Sequence, residues 1–309
     1  MDEVIGPASV ERDIHDSIPD FPVESIVLEG EGDFCRAYTV NNQWIFRFAY
    51  NDEGSRSLER EIALLPSLVA AIRMPIPNVT YSGWQRENGL AFIGYPKIEG
   101  VELTGEGLLG LEPAVREECA RVLAGFLTEL HSFDAEVARE VGVPECDYPF
   151  CRTEEGMLEG SAADLYKREL DRLLSYPALD GGMRKYCKYL VEQLLDEDAE
   201  GDLPAALIHG DLSQDHVLFD PGAGRISGVI DFSDAIIGSP LLDFMYPYHA
   251  FGGEFLWLLL SNYPVSNRHQ VAARVRLLHG WYIALRLLWA LDHGYERGIE
   301  VGLRQLSRA

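Results

Sequence analysis

Between residues 25 and 48 apolar and polar positions alternate with a period near two. Ser25–Glu29, Ala37–Val40 and Trp44–Phe48 are short, rich in β-branched and aromatic residues, and separated by Gly30-Glu31-Gly32 and Asn41-Asn42. That is the pattern of strands joined by tight turns. Asparagine tolerates positive φ, so Asn41-Asn42 predicts a two-residue hairpin turn. From Ser57 the spacing changes to three and four, and Leu58, Ile62, Leu65, Leu68 and Val69 share one helical face until Pro75 and Pro77 end the region. Thr80–Trp84 and Leu90–Tyr95 return to strand character, and residues 10–20 read as a short helix ending before Pro22. The first 95 residues therefore predict a small sheet of five strands with one helix inserted after the third.

Beyond Gly100 the pattern is mostly helical. Pro113 suits a first helical turn, and Cys119, Val122, Leu123, Phe126, Leu127 and Leu130 line one face behind it. Further helices are predicted over 161–175, 182–197, 271–291 and 296–307. A strand-like island interrupts them at Ala206–Ile208, Val217–Phe219 and Ile226–Ile230, with Asp220-Pro221-Gly222 turning between the last two. The expected fold is α+β and bilobal: a sheet-rich lobe over 1–95 and a larger helical lobe over 96–309, with a cleft at their junction.

Composition narrows the function. The 309 residues are 47% hydrophobic, as in an ordinary globular protein. The formal net charge of −24 is spread nearly in proportion to length, so it does not mark the cleft. It argues against nucleic acid or an anionic membrane as partner, since both would be repelled, and either favours a cationic partner or serves solubility alone. Cys35, Cys119, Cys146, Cys151 and Cys187 form no CxxC pair, which suits a reduced, cytoplasmic chain. The acidic opening MDEVIGPASVERDIHD is unlike a signal peptide. The most apolar helix, Trp281 to Leu291, carries Arg286 in its middle and is too short to span a bilayer. Nothing in the pattern demands a second subunit, so a monomer is expected.

The strand-like island holds the candidate chemistry: His209-Gly210-Asp211-Leu212-Ser213-Gln214-Asp215-His216, then Ile230-Asp231-Phe232-Ser233-Asp234. Asp211 and Asp231 each follow an apolar strand and lie 20 positions apart, bracketing a hairpin that returns them to one place. Two carboxylates so placed suit a hydroxyl-orienting base and a magnesium ligand, which phosphoryl transfer needs together with a cation on the phosphates.

These segments, with the later Gly238-Ser239-Pro240-Leu241-Leu242-Asp243 and the small N-terminal lobe, resemble the aminoglycoside phosphotransferase family of protein-kinase-like small-molecule kinases, from about residue 20 to 305. The resemblance implies Asp211 as catalytic aspartate, Asp231 as Mg²⁺ ligand, and ATP or GTP as phosphate donor. His216 stands where the family usually has asparagine as second metal ligand; members resembling the macrolide and 2″-aminoglycoside kinases also place histidine there. Imidazole is a poorer partner than oxygen for a hard cation. Arg47 matches the lysine that holds the nucleotide phosphates, Glu61 its helix partner, and Gly30 and Gly32 the loop above them. Gly94, Tyr95, Pro96 and Ile98 match the linker whose main chain meets the purine. His209 and Asp243 match residues that brace the catalytic loop.

Asp243 follows Asp231 by only 12 positions, which leaves no room for a peptide-docking segment, so the acceptor is expected to be a small molecule. In the regions that line the family's acceptor site, Asp234, Glu254, Asp292 and Glu296 supply carboxylates. Tyr248, Phe251, Trp281 and Trp289 supply flat surfaces, although Trp281, Leu285, Leu288 and Trp289 also share core-like helical spacing. The leading expectation is O-phosphorylation of an aminoglycoside, with antibiotic resistance as the outcome. The alternatives are a macrolide or a metabolite such as choline or homoserine as acceptor, a nucleotide-binding pseudokinase, and a metal hydrolase built on His209, Asp211, His216 and Asp231.

Overall fold

The computed structural model of the chain describes residues 6–32, 34–150, 152–153, 156–196 and 200–307. Asp33 of the glycine-containing loop, Cys151, and Glu197 at the expected end of one helix lie outside the described residues.

The N-terminal part comprises α1 (Pro7–Ser17), β1 (Ile26–Glu31), β2 (Cys35–Val40), β3 (Trp44–Ala49), α2 (Asp52–Ala71), β4 (Tyr81–Trp84) and β5 (Ala91–Pro96). Its strands pair antiparallel in the order β1-β2-β3-β5-β4. Asn41 and Asn42 take φ of 55° and 54°, the turn their side chains favour. Strand alternation divides β3 between two faces. Phe46 and Phe48 pack with Val10 and Ile14 of α1 and with Phe21, Tyr38 and Phe92. Ala49 packs with Leu58 of α2 and with Ile93. Arg47 shares the face of Ala49, which aims its guanidinium at α2. Asn51 caps α2 by accepting the Gly54 N–H at 2.8 Å.

The C-terminal part begins with β6 (Val101–Glu102), α3 (Gly105–Leu109), α4 (Pro113–His131), α5 (Ala135–Glu140), β7 (Arg152–Thr153), β8 (Gly156–Met157), α6 (Ala162–Ser175) and α7 (Gly181–Leu194). Then come β9 (Ala206–Ile208), a 3₁₀ turn (Gln214–His216), β10 (Val217–Asp220), β11 (Arg225–Val229) and β12 (Ile236–Gly238). Three helices follow: α8 (Leu241–Asn262), α9 (Arg268–Asp292) and α10 (Glu296–Leu306). The result is an N-terminal sheet set against a helical body. No described helix is long and apolar enough to cross a membrane.

The pattern of the sequence does not predict α8. Phe244, Tyr246, Tyr248, Phe251, Phe255 and Trp257 surround its axis and leave no single apolar stripe. Pro247 interrupts it, and Gly252 at φ 82° bends it. It packs on α4 and α9 in the main core. Leu64, Leu65 and Leu68 of α2 bury in that same core. At about 2 kcal/mol per buried leucine, they fasten the sheet to the helical body by roughly 6 kcal/mol.

Two small sheets position the loops of interest. β9 pairs with β12, Ile208 opposite Ile236. β10 and β11 form the expected hairpin, and β6 joins it as a third strand just past the inter-lobe segment.

Candidate active site

His209, Gly210 and Asp211 leave the end of β9 on a braced loop. Asp243, in the first turn of α8 and fully buried, accepts the main-chain N–H groups of His209 (2.8 Å) and Gly210 (3.0 Å) and the His131 Nε2–H (3.1 Å). Burial opposes its ionisation, but the His131 hydrogen bond and the nearby His209 hold its carboxyl below the usual range. His209 donates from Nε2 to the Ile230 carbonyl (3.0 Å) and accepts the Asp211 N–H at Nδ1 (3.3 Å). A ring that accepts at one nitrogen is neutral, and burial pushes its pKa down to about 4. Both ring nitrogens of His209 are occupied in holding main chain. Gly210 takes φ 84°, and a Cβ there would collide with the Asp234 carbonyl oxygen, so the loop requires glycine.

Asp231 follows β11 with φ 65°, uncommon for a residue with a side chain. Its Oδ1 accepts from Arg47 Nη2 (2.9 Å) and from the Ser233 N–H (3.2 Å). Arg47 Nη1 meets both Glu61 oxygens at 2.9 Å. Burial opposes the guanidinium charge, but Asp231 and Glu61 together raise its pKa well above the ordinary value. Asp231, despite burial, is held far below the usual carboxylate range by Arg47 and His216. Ser57 Oγ of α2 donates to the Ser233 carbonyl (3.0 Å), a second tie between the sheet's helix and this loop.

His216 brings the two aspartates together. Its Nδ1 lies 3.6 Å from Asp211 Oδ2, and its Nε2 lies 3.8 Å from Asp231 Oδ2. Nδ1 is also 2.7 Å from the Asp211 main-chain oxygen, which can only accept, so Nδ1 carries a proton and Nε2 faces Asp231. Burial disfavours an imidazolium here, but Asp231 and Asp211 outweigh it and raise the pKa. Burial raises the Asp211 carboxyl to about 6; Asp234, Asp231 and Asp215 push the same way, and His216 opposes them. Asp211 thus changes protonation close to neutrality.

Among the described residues no group of three or more His, Cys, Asp or Glu side chains forms a ready-made metal cluster. Asp231 Oδ2, on a side chain 30% exposed, is left clear by Arg47; His216 Nε2 beside it can donate to a metal only when it carries no proton, which the two aspartates disfavour. The Asp231 oxygen fits Mg²⁺, which is characteristically held through one or two carboxylates and completes its shell with phosphate oxygens and water.

The remaining expected nucleotide contacts are placed as follows. Gly30 lies at a register shift in β1 with open space beside its Cα. The Gly32 N–H donates to the Cys35 carbonyl at 3.0 Å. Neither glycine has positive φ, so their value is space, not conformation. The Gly94 carbonyl is already taken by the Thr80 N–H (2.9 Å), inside the sheet, which leaves less of its main chain for a purine than the sequence pattern implies. Tyr95 is buried, Pro96 ends β5, and Ile98 packs against Gly228 of β11.

A cavity of about 930 Å³ opens beside Asp211. Asp215, Asp234, Phe34, Tyr246 and Tyr282 line it near the loop, and Arg168, Glu169, Arg172, Arg286, Trp289 and Asp292 line it further along α6 and α9. Of the expected acceptor residues, Asp234, Asp292 and Trp289 are present. Trp281 is a correction: it is fully buried and donates its Nε1–H to Tyr148 Oη at 3.1 Å, so it is core. Glu254 is a second correction, exposed on α8 away from the cavity wall. Phe251 is buried, and neither Tyr248 nor Glu296 lines the cavity. Asp292 lines it but is already engaged by Arg172 (2.5 Å) and the Tyr176 hydroxyl (2.5 Å). Arg286 also lines the cavity, which sequence reasoning did not foresee, although a cation inside the apolar stretch Trp281–Leu291 was a signal for it.

A kinase-like fold with paired carboxylates and a buried Arg–Glu pair at the junction of sheet and helical body defines a phosphotransferase. The pattern of the phosphotransferase enzyme family matches residues 31–284, and the chain belongs to that family. It is 27% identical over 241 residues to viomycin phosphotransferase of Streptomyces vinaceus, covering 77% of each chain. The GDP and kanamycin complex of APH(2″)-IIIa superposes with a TM-score of 0.82 at 28% identity, covering 97% of both chains. Macrolide 2′-phosphotransferase type I shares the fold at TM-score 0.70 and 21% identity over 98% of both chains.

Proposed function

We propose that the chain transfers the γ-phosphoryl group of ATP or GTP to a hydroxyl of an aminoglycoside-type antibiotic and so inactivates it. The observation that carries this reading is the convergence of Asp211 and Asp231 on His216, with Asp211 on the cavity wall. In this reading residues 1–95 hold the nucleotide, and residues 96–309 supply the catalytic loop and acceptor site. Asp211 orients the acceptor hydroxyl and takes its proton as the oxygen bonds to the γ-phosphorus; the bond to the nucleoside diphosphate breaks. Arg47 balances charge on the nucleotide, and Glu61 keeps Arg47 in place. Mg²⁺ held through Asp231, and through His216 only where that ring has lost its proton, would neutralise phosphate charge. Gly30 and Gly32 leave room above the phosphates, and the main chain at Tyr95, Pro96 and Ile98 borders the purine. The named activity of the viomycin enzyme and the kanamycin bound to APH(2″)-IIIa support an amine-rich acceptor.

Apolar and aromatic side chains on the cavity wall, Phe150, Leu158, Leu285 and Leu288 among them, favour a macrolide as the second reading. Release of ADP from Mg²⁺-ATP and of GDP from Mg²⁺-GTP, measured with kanamycin, viomycin, a macrolide and choline, separates the readings. Acceptor-dependent release with kanamycin or viomycin is expected. Release with the macrolide or choline alone would replace the acceptor assignment. Nucleotide binding without release from any acceptor would point to an interaction module.

A further inference from the structure

The acceptor cavity is electrically divided. At the catalytic loop its wall carries Asp211, Asp215 and Asp234. Along α6 and α9 the carboxylates are consumed by cations of the chain itself. Glu169 pairs with Arg168 (3.0 Å) and Arg172 (2.5 Å), and Asp292 is held by Arg172 and Tyr176. Arg286 instead meets the Tyr282 side chain, with which it hydrogen-bonds. Among the described residues no carboxylate pairs with it, and its guanidinium carbon lies 5.7 Å from the centre of the Tyr282 ring.

A second cavity of about 350 Å³ lies between α9 and α10, and Arg286 and Trp289 line both cavities. Its other polar lining residues are His249, Tyr295, Arg297 and Gln305; no acidic residue lines it. In a chain of net charge −24, two arginines without a carboxylate on one cavity wall make a local positive potential against the global trend. Guanidinium groups recognise carboxylates and phosphates through paired N–H donors, and the half-exposed Trp289 offers a flat face beside them. Polycations would be welcomed at the Asp211 end and repelled at this one.

Resting on the phosphotransferase reading above, we propose that the preferred acceptor is amphoteric: an amine sits beside the reacting hydroxyl at the Asp211 end, and a carboxylate or similar anionic group reaches Arg286 at the wall of the second cavity. Arg286 is then the residue that sets specificity between amphoteric and purely cationic acceptors.

Isothermal titration of the chain with kanamycin and with its mono-N-succinyl derivatives tests this, because succinylation exchanges an amine for a carboxylate on the same scaffold. The wild-type chain should bind at least one succinyl regioisomer about fivefold more tightly than kanamycin, the upper scale of one exposed charge pair. Arg286→Ala should remove the preference and Arg286→Glu should invert it in favour of kanamycin. Equal affinities for all ligands in the wild-type chain, a preference that survives Arg286→Glu, or no binding of any of them would overturn the proposal. Asp211→Asn should keep the affinity ratio; turnover that persists in that variant would count against the catalytic reading alone.

Discussion

Replacing Asp243 by alanine removes the acceptor of three hydrogen bonds in a fully buried position: from the His209 N–H, the Gly210 N–H and the His131 Nε2–H. Each stranded buried donor costs about 1–3 kcal/mol, and breaking one side of a buried ionic cluster costs about 3–5 kcal/mol, so a loss near 4 kcal/mol is expected. With an unfolding entropy of about 2.1 cal/mol/K per residue, that loss lowers the melting temperature of a chain this size by roughly 6 °C. Asp243→Asn keeps one oxygen but turns an amide donor toward a donor, and should lie about halfway. The loop that loses its brace also carries Asp211, so kcat should fall in both variants even at temperatures where they are folded. Thermal unfolding followed by circular dichroism, paired with kcat at 20 °C below each midpoint (roughly, to keep the comparison among folded molecules), reads both effects. A stability loss below about 1 kcal/mol with kcat unchanged would refute the bracing role.

Arg47→Lys keeps a charge but cannot grip both Glu61 oxygens and Asp231 at once. Nucleotide affinity measured by titration should weaken about tenfold, the scale of one lost charge-assisted contact; unchanged affinity would remove Arg47 from the nucleotide site. The raised pKa of Asp211, about 6, means that its carboxylate form is present above that pH and lost below it. The profile of kcat/KM should therefore fall about tenfold per unit on the acid side. Asp234→Asn removes one of the charges that raise Asp211, so the acid limb should move to lower pH; a limb that stays in place would contradict the assignment of that limb to Asp211.

Much of the sheet and the convergence of Asp211 and Asp231 was legible because the signals are local. Alternation in β2 and β3, the Asn41-Asn42 turn and the spacing on α2 each act over a few residues. The hairpin of β10 and β11 likewise announced that Asp211 and Asp231 return to one place. What stayed hidden depends on distant partners. Asp292 reads as an available carboxylate until α6 brings Arg172 and Tyr176 to it across more than a hundred residues. Trp281 and Trp289 share one helix and one residue type, yet the packing of Tyr148 and Tyr166 buries the first and leaves the second about half exposed. α8 gave no periodic signal because it is apolar all round and bent at Gly252.

In the proposed reading, transfer depends on Asp211 and Asp231 meeting at one nucleotide complex. The most direct measurement is Asp211→Asn, read in one preparation by nucleotide titration and by acceptor-dependent release of nucleoside diphosphate. Loss of release by about 10²–10⁴-fold with nucleotide affinity held within about twofold is expected for a group that handles the acceptor proton. Release that stays near the wild-type rate in a folded variant would contradict it.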